Sequence, residues 1–196
     1  MDQLLPVGDG HTLLGADDLW GLKLSYITTR GELNEAEQAN ILRATGRARP
    51  PSVNTLLDDL YLRRLHQRMF GDVWSWAGKY RTVETHIGID PVRISVAVRN
   101  LVEDGRVWVE AAADEPDLIA AQFHSRLVAI HPFANGNGRH SRVAADYLVL
   151  ALERPAFTWG ANQTASIEEL RRQYIAALLG AEKDNDLDPL VGFARS

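Results

Sequence analysis

The chain has 196 residues, with 21 Lys and Arg against 26 Asp and Glu, 45% hydrophobic residues and no cysteine. A chain of this size can bury one sizeable core, and the absence of cysteine excludes a disulfide scaffold or a zinc ribbon. The net charge of -5 argues against nucleic acid as a direct partner, so any anion site must be local. The longest apolar stretch near the C-terminal half, residues 143–152, is interrupted by Asp146 and is shorter than the ~20 residues of a membrane helix. We therefore expect a cytoplasmic protein with no membrane segment.

Residues 1–50 are predicted to form an N-terminal extension and residues 51–196 the main domain. Within the extension, Asn34 followed three residues later by Glu37 has the form of a capping box. The pattern predicts a helix at about 34–45.

The main domain shows helical spacing of its apolar residues in several segments. One predicted helix begins at Ser52 and runs through Met69. The others are predicted at residues 97–111, 114–130 and 138–152, and after Ser166.

Residues 83–96 have the period of a strand instead. Apolar and polar residues alternate from Val83 to Ile89, Asp90-Pro91 interrupts the alternation, and it resumes through Val96. This pattern predicts a short hairpin flap that leans on the helices. The predicted fold class is therefore all-α, a mostly helical bundle with a small β-hairpin flap.

The segment from His131 to Arg142, HPFANGNGRHSR, lies between two predicted helices. Its glycines allow successive backbone N–H groups to point into one concavity at the start of the next helix, which is an anion site. Arg139 and Arg142 share a helix face, where an anion between them would relieve their repulsion. His131 is the side chain there best suited to accept a proton at neutral pH. Together these features suggest group transfer from a nucleotide.

Other interpretations fit the same residues. The segment could be an ordinary helix connection with solvated arginines, and Arg142 could pair with Asp146 four residues later. His124, His131 and His140 could also suggest a metal site, although no carboxylate or cysteine lies at ligand spacing.

The segment resembles the motif of the Fic family, H-P-F-x-[D/E]-G-N-G-R-x-x-R, at every defined position except one. VWSWAGKYRT resembles the approach to the family's flap, and YIAALLGAEKDNDLDPLVGF resembles its closing helices. With TRGELNEAEQANI, these segments are similar to the subgroup called mobile mystery protein B, whose genes usually neighbour a helix-turn-helix partner. The resemblance covers about residues 55–193.

The resemblance implies a Fic-type bundle with protein adenylyltransferase (AMPylase) activity, in which AMP passes from ATP to a Ser, Thr or Tyr hydroxyl of a target protein. It implies His131 as the general base and Phe133 as the anchor of the loop. It further implies that nucleotide phosphates are held by Gly136, Asn137, Gly138, Arg139 and Arg142. An extended target segment would dock by strand addition on the flap residues Val83, Glu84, Thr85, His86 and Ile87.

Asn135 is the departure from the family's motif, since the family usually has Asp or Glu there to bind magnesium. An amide oxygen can coordinate Mg²⁺ but brings no charge, so metal affinity should be weakened. An alternative is therefore a catalytically weak or silent module that binds a nucleotide or a partner.

Many members of the family are inhibited by a Glu that pairs with the last motif arginine, here Arg142. Thr28 and Glu32 fit part of that pattern, although Leu33 departs from it. Glu32 is therefore a candidate inhibitory residue, and a toxin-antitoxin-like role with a separate helix-turn-helix partner is the other possibility.

Overall fold

The computed structural model describes residues 19–46, 50–112 and 115–196. The first 18 residues of the predicted extension, and residues 47–49, lie outside these ranges. Eight helices have both bounds within them, and a 3-10 turn, Pro91–Arg93, precedes α4. The helices are α1 Arg30–Thr45, α2 Val53–Leu56, α3 Asp59–Phe70, α4 Ile94–Ala111, α5 Pro116–Ile130, α6 Asn137–Ala151, α7 Ile167–Lys183 and α8 Asp188–Arg195.

The predicted all-α class is confirmed. Helices α5 and α6 form the most extensive helix pair, while α4 packs on α5, and α2 and α3 pack on α6. Helices α7 and α8 cover α5, and α1 packs on α3. Fully buried side chains such as Leu65, Phe123 and Leu148 fill the centre. In the described part of the chain, no helix has the length and apolar character to cross a bilayer.

Helix α1 begins four residues before its predicted start, so Asn34 is not its cap. The Thr29 hydroxyl accepts from the Glu32 N–H, and the Glu32 carboxylate reaches back to the Thr29 N–H. This capping box outcompetes the similar pattern at Asn34. The predicted end holds, because Gly46 is the C-cap.

The single helix predicted from Ser52 to Met69 is broken in two. Ser52 caps α2 as expected, but Asp58 then accepts a hydrogen bond from the Tyr61 N–H and starts α3. An Asp side chain competes with the helical backbone for such donors. The break allows both Leu56 and Leu57 to be fully buried.

The predicted hairpin is wrong. Residues 82–90 form an irregular loop, and neither they nor any other described residues form a strand. Asp90 accepts from the Val92 N–H and Pro91 starts the 3-10 turn, so α4 begins at Ile94. Val92 is 85% exposed while Ile94 is fully buried, as the faces of a helix require. The alternation that suggested a second strand was therefore coincidental.

Candidate active site

His131 lies at the C-cap of α5 in the left-handed conformation, with φ of 53°. Its carbonyl oxygen accepts a hydrogen bond from the Arg81 Nε at 2.7 Å. Partial burial of the ring lowers the pKa of His131 below the ordinary value of 6.5, and the Arg81 charge lowers it further. The imidazole is therefore neutral around pH 7 and able to accept a proton.

The glycine loop, residues 131–138, turns into α6 at Gly136. Gly136 has φ of 77°, and a Cβ on it would lie 2.5 Å from the Phe70 ring, so only glycine fits. Because the first turn of a helix leaves backbone N–H groups without helical partners, the start of α6 offers donors and a positive dipole end to an anion.

The Asn137 side chain braces this loop. Its amide oxygen accepts from the Phe133 N–H at 2.9 Å, and its amide nitrogen donates to the Phe133 carbonyl at 2.8 Å. Asn137 is buried, so its side chain is committed to the loop and a ligand could meet its backbone N–H.

The two motif arginines lie beside the loop in different settings. Arg139 rests over the Phe70 ring and forms a 2.7 Å ion pair with Glu37, whose side chain is 4% exposed. Arg142 is buried against the Tyr174 ring. The alternative pairing of Arg142 with Asp146 is absent from the ion pairs of the described residues, and Asp146 accepts from the Trp159 indole at 2.9 Å.

These residues meet in one pocket of about 340 Å³. The lining includes His131, the loop from Asn135 to Gly138 and both arginines, so the structure brings these predicted site residues together. A further wall, formed by α7 and missed by the sequence analysis, consists of Arg171, Tyr174, Ile175 and Leu178. The last three follow Arg171 by three, four and seven residues, which places all four on one helix face. This spacing was the signal in the sequence that could have indicated the wall.

The flap, residues 82–90, borders the same pocket through Ile87. All five predicted docking residues, Val83, Glu84, Thr85, His86 and Ile87, are exposed. The buried Arg81, also missed by the sequence analysis, holds both ends of the flap by donating to the carbonyls of Val83 and Ile89. Since its third bond goes to the His131 carbonyl oxygen, one guanidinium joins the flap to the backbone of His131.

Asn135 is exposed at the pocket, and its side-chain oxygen accepts from the Gly136 N–H at 2.6 Å. No carboxylate is among the described residues lining the pocket, and the described ranges hold no cluster of acidic and His residues suited to a metal. One neutral oxygen does not fit a resident Mg²⁺ ion, which usually needs a carboxylate. The structure also gives no support to the alternative of a metal site at His124, His131 and His140.

Glu32 differs from its predicted place beside Arg142. Its carboxylate accepts from the Thr28 and Thr29 N–H groups at the start of α1, at 2.8 and 3.0 Å. These bonds lower the pKa of Glu32, the Thr28 bond most strongly. The α1 acid that reaches a motif arginine is Glu37, on Arg139.

Comparison with known proteins finds a family match for part of the chain. Residues 56–149 match the model of the Fic/DOC family. The chain contains a Fic/DOC family domain. This domain holds the glycine loop, the flap and both motif arginines, while Glu37 and the α7 wall lie outside the matched range.

Curated relatives of this Fic domain are named protein adenylyltransferases. A probable protein adenylyltransferase of Sinorhizobium fredii is 32% identical over 58% of this chain and 62% of its own length. The protein adenylyltransferase fic-1 of Caenorhabditis briggsae is 30% identical over 70% of this chain. The chain spans about three fifths of the first relative and 26% of the second.

Solved Fic domains share the fold. The N-terminal domain of Bep8 from Bartonella sp. 1-1C has a TM-score of 0.69 at 15% identity, covering 90% of each chain. BepC of Bartonella tribocorum, solved with bound AMPPNP, has a TM-score of 0.66 at 18% identity, covering 90% of this chain and 95% of its own. At these identities the likeness concerns the fold alone.

Proposed function

We propose that this Fic domain is a protein adenylyltransferase, which transfers AMP from ATP to a Ser, Thr or Tyr hydroxyl of a target protein. The observation that carries the proposal is the single pocket shared by His131, the start of α6 and both motif arginines. The names of the curated relatives support the same reaction class.

His131 is the general base of the proposed reaction. Its Nδ1 atom is buried, which leaves Nε2 as the nitrogen available to the pocket. The acceptor hydroxyl gives its proton to Nε2 as its oxygen bonds to the α-phosphorus. The bond from that phosphorus to the bridging oxygen breaks, and pyrophosphate leaves with the electron pair.

The phosphates are proposed to lie against the glycine loop, with backbone N–H groups of Gly136, Asn137 and Gly138 as donors. Arg139 holds the β-phosphate and Arg142 the γ-phosphate. Since Glu37 already occupies Arg139, the nucleotide has to compete with an internal carboxylate. Magnesium use stays a prediction, and none of these steps depends on it.

The flap is proposed to dock the target protein. Val83 and Ile87 are 66% and 61% exposed, and Ile87 also reaches the pocket, so an acceptor chain on the flap would lie beside His131. Without a strand ladder in the free protein, docking would have to order the flap.

The proposal is tested by intact-protein mass spectrometry after incubation with ATP, magnesium and a cell lysate. A protein in the mixture, or the enzyme itself, should gain the mass of one AMP group. His131→Ala should abolish the gain while still binding ADP and unfolding at a similar temperature. An unchanged product with this variant would refute His131 as the base.

A silent nucleotide-binding module is the second candidate. It is favoured by the Glu37–Arg139 ion pair and by the neutral, internally bonded Asn135. Calorimetry that shows ATP binding without AMP transfer at any divalent ion would support it. Asn135→Asp separates the two candidates, because a rise in transfer would show that a missing charge had limited a working enzyme.

Four further points also stay predictions. They are membership of the mobile mystery protein B subgroup, the helix-turn-helix partner, the cytoplasmic location and the domain boundary at residue 50. Co-purification with the protein encoded by the neighbouring gene would test the partner.

A further inference from the structure

His66 is a buried side chain of α3 that contacts the glycine loop. Its Nδ1 accepts a hydrogen bond from the Gly78 N–H at 3.0 Å, and its Nε2 lies 3.0 Å from the Asn135 carbonyl oxygen. A backbone amide can only donate and a carbonyl can only accept. Both bonds therefore require the neutral tautomer with its proton on Nε2.

The surroundings keep His66 in that form. Burial lowers the pKa of His66 well below the ordinary value, with further lowering from His140 and Arg139. The ring also stacks on Phe133 with centroids 3.7 Å apart. One turn later on α3, Phe70 lies under Gly136. Helix α3 thus contacts two consecutive residues of the loop, Asn135 and Gly136.

The bond to Asn135 determines how the loop presents an amide to the pocket. The Asn135 carbonyl and the Gly136 N–H belong to one planar trans peptide, so they point in opposite directions. Because His66 draws the carbonyl inward toward α3, the Gly136 N–H points outward. There it meets the side-chain oxygen of Asn135, a pocket residue.

We propose that His66 is a positioning residue of the phosphate site, whose Nε2–H holds the Asn135–Gly136 peptide with its N–H toward the nucleotide. The inference rests on the proposed function, since an anion at the loop is the ligand that needs this N–H. His66 does not touch the reacting atoms and acts through the loop backbone.

Two conservative variants of His66 each keep one of its two hydrogen bonds and remove the other. In His66→Gln the side-chain NH₂ lies near the former Nε2 and can still donate to Asn135, while the bond to Gly78 is lost. In His66→Asn the side-chain oxygen lies near the former Nδ1 and can accept from Gly78, while the bond to Asn135 is lost. Each variant removes one hydrogen bond, so similar falls in Tm are expected.

The expected result is a difference in nucleotide binding between variants of similar stability. ADP affinity and the KM for ATP should stay within about threefold of wild type in His66→Gln, and weaken about tenfold in His66→Asn, as expected for one hydrogen bond to a charged group. Thr158→Val is the matched control, because it removes a hydroxyl that donates to the Ala194 and Ser196 carbonyls. It should lower Tm without changing ADP affinity. Equal affinities in the two His66 variants, or a weaker Gln variant, would overturn the proposal.

Nitrogen NMR of the wild-type protein supplies a test that needs no variant to fold. The His66 ring should be neutral at pH 7 with its proton on Nε2, and a proton on Nδ1 or a titration near pH 6.5 would contradict the assignment. ADP binding and NMR do not require turnover. Absence of AMP transfer in the wild type would thus count against the proposed function. The ADP affinities and the NMR spectra would still test the positioning role of His66.

Discussion

The glycine loop and the flap border the same pocket but are held in opposite ways. The loop is tied from within, by the Asn137 side chain on Phe133 and by His66 on Asn135. The flap is exposed from residue 82 to residue 88 and is held at its ends by Arg81. A phosphate site gains from a fixed geometry, because donors in place need no reorganisation. A segment that receives a protein chain gains from a surface that can adapt.

Gly136→Ala should have the largest effect on AMP transfer, because it disturbs the glycine loop, which is the fixed region of the two. The new Cβ would lie 2.5 Å from Phe70 at a residue with φ of 77°. The loop would have to move, and a displacement of this kind can cost about a hundredfold in rate. Single-turnover AMP transfer measures the loss.

Gly180→Ala is the control, since a Cβ at Gly180 meets no described atom within 4 Å. It should leave transfer unchanged. Equal losses in the two variants would contradict a loop that depends on a single geometry.

Arg81→Met should lower transfer by about tenfold, because it releases both flap ends and the His131 carbonyl together. Removing the Arg81 charge should also raise the pKa of His131. Since the base works in its neutral form, the fall in rate on the acid side should move to higher pH. The pH profile of kcat/KM measures this shift.

Arg81→Lys separates the two effects, because it keeps the charge but loses the three-way bonding. Its rate should fall while the acid limb stays near that of wild type. An unmoved acid limb in Arg81→Met would show that this charge does not tune the imidazole.

Glu37→Gln tests whether the Glu37 carboxylate competes with the nucleotide for Arg139. Removal of the carboxylate leaves the half-buried Arg139 without a counter-ion, so the free protein should be less stable. ATP would then meet no competitor, and its affinity should rise severalfold. Thermal unfolding with and without ATP measures both changes, and an unchanged ATP affinity would show that Glu37 does not compete with the nucleotide.

Val83→Ser should have the smallest effect on activity, and this effect should be confined to the flap. Val83 is 66% exposed and belongs to the flap, so the KM for the protein acceptor should rise about threefold at an unchanged ADP affinity. A weaker ADP affinity would mean that the two regions are not separable.

The sequence predicted those features that lie within one short segment. His131, the glycines and the arginines fall within twelve residues, so a local pattern was enough to predict that they lie together, and they line one pocket. His66, Arg81 and Glu37 come from distant elements, and their contacts with the loop depend on how the helices pack. The alternation over residues 83–96 predicts a hairpin, yet residues 82–88 are exposed and Ile94 belongs to a helix.

A label on ATP can be followed into protein, and this shows directly whether AMP is the group transferred. With label on the α-phosphate, the wild-type enzyme should transfer it to a hydroxyl side chain, and His131→Ala should not. With label on the γ-phosphate, protein should stay unlabelled, because that label leaves with pyrophosphate. Protein labelled from the γ-phosphate would refute AMP transfer, and α-label transfer that persists in His131→Ala would refute His131 as the base.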